Sequence, residues 1–331
     1  MEDGTSDRTA RARRGLGLLL LLFVVVTLAW WIVGRATAEE RRLSVRSLAT
    51  ASSSLPDTGT GPELRILAWN LAHGRGDQGP GLLRNFKGGS AEERTERLER
   101  IAAVIERVDA EVVVLNEVDF RSTWSDGLDQ AEVLARAAGY PTWIEQTNYD
   151  IRLPFATFWF GNAVLSRLPV EEVRWLEIPP HSRLEALIAG AKSASMVRLN
   201  TGAGSVSVVP VHLERRSGKT RRGALAALDT LRIREQAPLV LAGDFNASPP
   251  GWPGAPERTV LGELLDRGWR SARAGEAPEP GQLTYPTFDP SEAIDWVLVE
   301  PPLRVVEARV LDGTEELSDH APVLAVVRLE R

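Results

Sequence analysis

The chain has 331 residues, 43% hydrophobic and 25% charged, which is enough for one large domain with appendages. A formal net charge of -6 excludes the global positive field that coats long polyanions without sequence preference. With no cysteine, disulfides, thiolate metal sites, a cysteine nucleophile and a lipidated cysteine are all excluded.

Residues 1–15 are a basic arm carrying Arg8, Arg11, Arg13 and Arg14. Residues 16–35 are predicted to form a transmembrane helix. The run LGLLLLLFVVVTLAWWIV over 16–33 is uncharged and approaches the length that crosses a ~30 Å hydrocarbon core. The positive-inside rule keeps the arm cytoplasmic and exports the chain beyond the helix, with Trp30 and Trp31 at the outer interface. Ala36-Thr37-Ala38 also fits a cleavage site, so a signal anchor and a cleaved signal peptide both fit. The length of the run favours the anchor. The expectation is a single-pass membrane protein with an extracytoplasmic domain, secreted if the segment is cleaved. Residues 36–62, including ATASSSLPDTGTGP, lack an apolar period and read as a flexible linker. Residues 63–331 are one domain by size.

Leu64, Ile66 and Ala68 alternate along a first strand that runs into the loop NLAHGRGDQGPG at Asn70. Ser90 and Glu93 make a capping-box pattern that starts a helix over 91–107. EVVVLN (111–116) reads as a buried strand delivering Glu117, and a helix over 129–138 stops at Gly139. Strands are expected at 155–166, 173–178, 194–200 and 205–212, then a helix over 220–235. A strand over 238–242 leads to Asp244 and Asn246, a short helix covers 257–267, and strands at 293–299, 304–310 and 322–329 end the chain. Consecutive strands interrupted by a few helices suggest sheets with helices packed outside them, not regular βαβ alternation.

One strand after another ends in an acid, amide or histidine: Asn70, Glu117, His212, Asp244 with Asn246, Asp295, and Asp319 with His320. Singly, each has a plain structural reading as a turn residue, a cap, a surface charge or a satisfied core histidine. Together they define one rim, where α/β domains bind ligands. Carboxylate and amide oxygens suit a hard cation such as Mg²⁺, with Mn²⁺ also possible, and phosphoryl chemistry is the natural partner of that set. No serine nucleophile elbow or Walker-type loop is present in the sequence.

The segments ILAWNLAHG, VVVLNEVD, FGNAVLSRLPV, VVPVHLE, VLAGDFNASP, AIDWVLV and LSDHAPV resemble, in order and spacing, the motifs of the endonuclease/exonuclease/phosphatase superfamily. That superfamily includes deoxyribonuclease I-like nucleases, inositol polyphosphate phosphatases and neutral sphingomyelinases. The resemblance implies a four-layered α/β sandwich of two packed mixed sheets flanked by helices, and a Mg-dependent phosphoesterase. It implies Glu117 as main metal ligand with Asn70 and Asp319 assisting, and Asn246 orienting nucleophile and phosphate. It further implies Asp244 as general base, His320 positioned by Asp295 on the scissile phosphate, and His212 at the phosphate or leaving group. The sequence leaves open whether Asp244 or His320 takes the proton.

Three positions depart from the family pattern: Asn116 stands for Gln, Ala293 for Arg, and Pro210 interrupts a strand, which suggests an edge or a bulge. Among weaker features, Arg215 and Arg222 belong to a basic cluster after His212 that reads equally as a phosphate grip or a solvated helix start. His73 could reach the site from its Gly-rich loop. Phe155, Phe158, Trp159 and Phe160 read as a stacking platform or, more commonly, as sheet core. The expected substrate is a phosphoester that is lipid-linked, a small molecule or nucleic acid, with an extracellular nuclease as one reading and no obligate protein partner. The competing class is a tethered module that binds a phosphorylated ligand without turnover.

Overall fold

The computed structural model describes residues 3–48, 63–76, 89–275, 278 and 281–329; the linker stretch 49–62 and loop residues 77–88 lie outside them. Helix α1 (Asp3–Ala36) runs through the basic arm and the apolar segment without a break. Its part Arg13–Ala36 is long and apolar enough to cross a membrane, and a signal sequence would meet the same description.

The expected linker over 36–62 is corrected in its first half. Residues Glu39–Arg41 form a 3-10 turn, and β1 (Leu43–Ser47) pairs antiparallel with β4 (Thr142–Leu153). Backbone bonds hold it, Thr147 N–H to the Arg42 carbonyl and Leu48 N–H to the Pro141 carbonyl, while Leu43 packs on the core between the sheets. An edge strand made chiefly of main-chain bonds leaves little trace in apolar periodicity.

The remaining elements are β2 (Glu63–Asn70), α2 (Ala91–Val108), β3 (Val112–Asp119), α3 (Gln130–Ala137), β5 (Ala156–Ser166), β6 (Val170–Leu176) and α4 (Arg183–Ile188). They are followed by β7 (Ala194–Asn200), β8 (Ser205–His212), α5 (Gly218–Arg234), β9 (Leu239–Asp244), α6 (Val260–Asp266), β10 (Asp295–Val299), β11 (Leu303–Val310) and β12 (Val323–Leu329). A seven-stranded sheet has the order β1-β4-β5-β3-β2-β12-β11, and a five-stranded sheet the order β10-β9-β8-β7-β6. Both are mixed: β2 with β3 and β8 with β9 are parallel, the other pairs antiparallel.

Alternation along the strands builds four layers. Leu64, Ile66, Ala68, Val112 and Val114 point between the sheets, where they meet Val197, Val208, Val240 and Val297. The intervening Leu67, Trp69, Val113 and Leu115 pack instead under α2 and α3, against Leu98, Ile101, Ile105 and Leu134. On the far side, Leu225, Leu228 and Leu231 of α5 and Leu261 and Leu264 of α6 cover the five-stranded sheet. Helix α2 begins with the expected capping box, Ser90 accepting from Glu93 N–H and Glu93 from Ser90 N–H.

Strand β4 was not expected, because its buried residues include Glu145, Gln146, Thr147, Asn148 and Asp150. Pro210 does not mark an edge: β8 is the middle strand of its sheet, but its pairing with β7 ends at Val208, so Pro210 has β9 alone beside it.

Candidate functional site

Register places one row of polar side chains across three strands. His212 lies opposite Asp244 in the β8–β9 pair, and Asp244 lies opposite Asp295 in the β9–β10 pair. All three are buried. Opposed residues on neighbouring strands project to the same face, so three sequence-distant groups become neighbours.

The other sheet supplies the facing groups. Asn70 ends β2 opposite Asn116 of β3, and a register break between Leu115 and Val118 forms a bulge in which Glu117 adopts a positive φ of 52°. Bulges re-aim side chains, and this one turns Glu117 to the rim, where its side chain keeps 31% of its surface. His212 Nε2 bridges the sheets, 3.7 Å from Glu117 Oε1 and 3.6 Å from Asp244 Oδ2. Asn70 Nδ2 donates to Asp244 Oδ2 at 3.2 Å.

Asp244 is held from several sides. Asn246, also at positive φ, donates its N–H to Oδ1 (2.8 Å) and its Nδ2 to Oδ2 (3.1 Å). The Asp244 N–H in turn donates to Asn116 Oδ1, and Asn116 Nδ2 donates to Asn162 Oδ1. Asn162 Nδ2 donates to Gln146 Oε1, whose own Nε2 donates to Ser193 Oγ and Asn148 Oδ1. The polar interior of β4 is thus a fully engaged amide chain beneath the site. Gly243 is required here: a Cβ would meet the Val211 carbonyl oxygen at 2.2 Å, at a φ of +130°.

His320 Nδ1 lies 2.9 Å from Asp295 Oδ2. Its loop is fastened to β2, since Trp69 Nε1 donates to the His320 carbonyl and Ser318 Oγ to the Asn70 carbonyl. Burial disfavours the charged ring, but Asp295, with its hydrogen bond, and then Asp244 and Asp319 outweigh it and push His320 up to about 10. Burial pushes Asp244 up to about 6, against the pull of His320 and with help from Asp295. His212 goes the other way, well below its ordinary range, through burial and then the adjacent Lys192 ammonium. Burial would raise Glu117, but His73, His212, Lys192 and His320 together hold it at about 2.

The expected site residues divide. Asn70, Glu117, His212, Asp244, Asn246, Asp295 and His320 come together, with Asp319 half-buried beside His320. His73 joins them, its Nε2 3.4 Å from Glu117 and its Nδ1 3.0 Å from Asp119. Arg215 reaches the rim, stacked 4.5 Å from the centre of the Tyr285 ring, which tilts against His320. Arg222 does not: it lines a separate hollow with Arg258, Glu263, Asp266 and Arg267, because α5 turns its side chain away from the rim. Ala293, where the family pattern has Arg, is buried in the core, and Arg273 from another segment donates to the Asp295 carbonyl.

Lys192 was not singled out by the sequence. Its Nζ lies 2.6 Å from His212 Nε2 and donates to the Leu213 carbonyl at 2.8 Å. A signal existed, since only Lys87, Lys192 and Lys219 among 39 basic residues are lysine.

The model of the Endonuclease/Exonuclease/phosphatase family matches residues 67–320, and the chain belongs to that family, whose members hydrolyse phosphoester bonds and generally depend on a divalent metal. Asp244, Asp295 and His320, with donor atoms within 4.8 Å of one another, form a candidate acidic metal site. No curated protein matches the sequence. The fold is similar to the crystal structure of an endonuclease/exonuclease/phosphatase from Beutenbergia cavernae DSM 12333, with TM-score 0.56 and 22% identity, covering 81% of this chain and 72% of that one. It is also similar to one from Bacteroides vulgatus, with TM-score 0.56 and 17% identity over 81% and 99% of the two chains. The human Nocturnin catalytic domain with bound sulfate anion matches with TM-score 0.55 and 16% identity, over 88% and 98%.

Proposed function

We propose that this chain is a Mg²⁺- or Mn²⁺-dependent hydrolase of a phosphodiester or phosphomonoester, acting outside the cytoplasm from a retained membrane anchor. The observation that carries the reading is the row His212, Asp244 and Asp295, with His320 held by Asp295 and Glu117 facing the row.

The donor chemistry fits a hard cation. Glu117 is ionised and partly open, and Asn70 and Asp319 would complete an oxygen set with it. Asp244, Asp295 and His320 are the alternative set, in which Asp295 already occupies His320 Nδ1 and leaves the ring Nε2 alone as a ligand atom. A divalent ion supplies neutralisation of the non-bridging phosphate oxygens when bound.

The chain's own groups divide the remaining work. Asp244, with its proton affinity raised towards neutrality and its carboxylate oriented by Asn246, accepts the proton of the attacking water. His320, raised by Asp295, serves as a charged donor to the phosphate, which favours Asp244 as the base in this reading. Lys192, held by His212 Nε2 as acceptor and by the Leu213 carbonyl, is the cationic donor on the opposite flank, suited to the leaving oxygen. Retention of α1 is supported by its docking: Trp31 Nε1 donates to the Ile188 carbonyl and Arg35 to the Leu187 and Ala186 carbonyls.

The test is a panel on the full chain in vesicles: p-nitrophenyl phosphate, bis(p-nitrophenyl) phosphate, phospholipid, inositol phosphates, DNA and RNA. Each is assayed after chelation and after adding back Mg²⁺ or Mn²⁺. Metal-restored turnover of at least one substrate is expected. Tight binding with no turnover under any condition would leave a phospho-ligand binding module instead. Protease added to intact cells should degrade the domain, and protection until permeabilisation would overturn the topology.

A further inference from the structure

Four apolar side chains outside the site have no role in the hydrolase reading: Phe155 (60% exposed), Leu184 (65%), Leu187 (67%) and Ile188 (42%). We propose that the β4–β5 hairpin tip, Leu153-Pro154-Phe155, and the apolar face of α4 form a second lipid-contacting surface that seats the domain on the bilayer beside α1. This rests on the proposed topology, in which α1 spans the membrane and the domain lies outside the cytoplasm.

The hairpin and α1 meet at two levels. At the upper one, a Cβ on Gly34 would lie 3.0 Å from Arg152 Cβ, so the glycine lets the β4 backbone approach the helix closely. At the lower one, Phe155 stacks on Phe23 with ring centres 5.9 Å apart and planes at 14°. Phe23 precedes Gly34 by eleven residues, about 16 Å of helix at ~1.5 Å per residue. The apolar run over 16–33 has barely the length of the hydrocarbon core, so the outer boundary must fall near Gly34. Whatever touches Phe23 then lies below that boundary.

The hairpin is graded to match. Arg152, at the Gly34 level, turns its charge back to the domain, with Nε 2.9 Å from Asp150 Oδ1 and the guanidinium 4.7 Å over the Trp159 ring. Beyond it the tip has no charge, and its two-residue turn contains Pro154, which has no N–H to leave unsatisfied in lipid. Helix α4 lies at the boundary itself, since Trp31 and Arg35 bind its carbonyls, and Trp side chains favour that interface. A cavity of about 350 Å³ beside the end of α1 is lined by Arg35, Arg42, Asp150 and Lys192, the neighbour of His212.

The chain has no cysteine, so single cysteines report cleanly. Phe155→Cys, Leu184→Cys and Leu187→Cys in the full chain are labelled with bimane and reconstituted in phosphatidylcholine/phosphatidylglycerol vesicles. Leu21→Cys serves as the lipid reference and Ile233→Cys, 85% exposed on α5, as the water reference. Nitroxide-acyl lipid should quench the three labels several-fold more than the label at 233, and aqueous iodide several-fold less. Iodide quenching like that at 233, with the label at 21 still in lipid, would overturn the docking while leaving the anchor intact. Protection from both quenchers would mean that protein, such as a second copy, covers the face, and would also overturn it. Loss of lipid quenching at 21 would remove the anchor and this surface together, whereas hydrolysis of soluble esters would be unaffected.

Discussion

Lys192 Nζ lies 2.6 Å from His212 Nε2, so an ammonium donates to an imidazole 20 residues away in the chain. An ammonium has only donors, which leaves His212 neutral as the acceptor. Lys192→Met keeps the stem and removes the charge. The His212 titration should then move up, towards its ordinary range, and turnover should fall by about 10–100-fold. Histidine NMR titration beside kcat measures both; an unmoved His212 resonance would show that the pair does not interact in solution.

Asp244→Asn retains size and removes the base. Turnover should drop by ~10²–10⁴-fold with substrate affinity nearly kept. Single-turnover rates beside equilibrium binding separate the two, and an unchanged rate would move the protein towards the binding-module class.

His320 and Asp295 should behave as one unit. Asp295 raises the imidazole, so Asp295→Asn should move the histidine limb of the pH–rate profile to lower pH. Losses in His320→Ala, Asp295→Asn and the double variant should be strongly non-additive. Additive losses would mean that the 2.9 Å contact carries no function.

Glu117→Gln preserves the bulge and removes the ionised ligand. Metal affinity by calorimetry should fall by about 10-fold or more, with activity falling in parallel. Unaltered affinity would transfer the metal to Asp244, Asp295 and His320.

Glu145 gives a stability test away from the chemistry. Burial, then Asp129, pushes it up to about 7, against the Trp143 hydrogen bond and Arg46. Because the folded value lies above the ordinary one, its contribution is intact at pH 4 and is lost as pH rises through about 7. Glu145→Gln keeps an acceptor for Trp143 Nε1 and should stabilise the protein by about 1–3 kcal/mol at pH 8 but hardly at pH 4. Thermal melts at the two pH values check the sign, and destabilisation at pH 8 would refute the buried charge.

Much of the protein was legible in local pattern. Alternation in β2, the β-branched run of β3 and the Ser90–Glu93 cap are short-range signals, and the polar residues that end strands follow from them directly. Strand β4 was not legible, because its buried residues include the amides that support the site, and apolar periodicity is blind to polar groups satisfied by one another. The linker reading failed at β1 for a related reason, since that strand is held mainly by its neighbour's backbone. Arg222 and Lys192 exchanged places in importance because helix phase and loop path, not sequence proximity to His212, decide which cation faces the rim. The sequence by itself determined sheets with helices packed outside them, the apolar N-terminal helix and the inventory of acids, amides and histidines, since these depend on period and composition. Only the tertiary structure decided which of them meet: cross-strand register aligned His212, Asp244 and Asp295, a one-residue bulge turned Glu117 to face them, and a glycine brought the hairpin down along the helix.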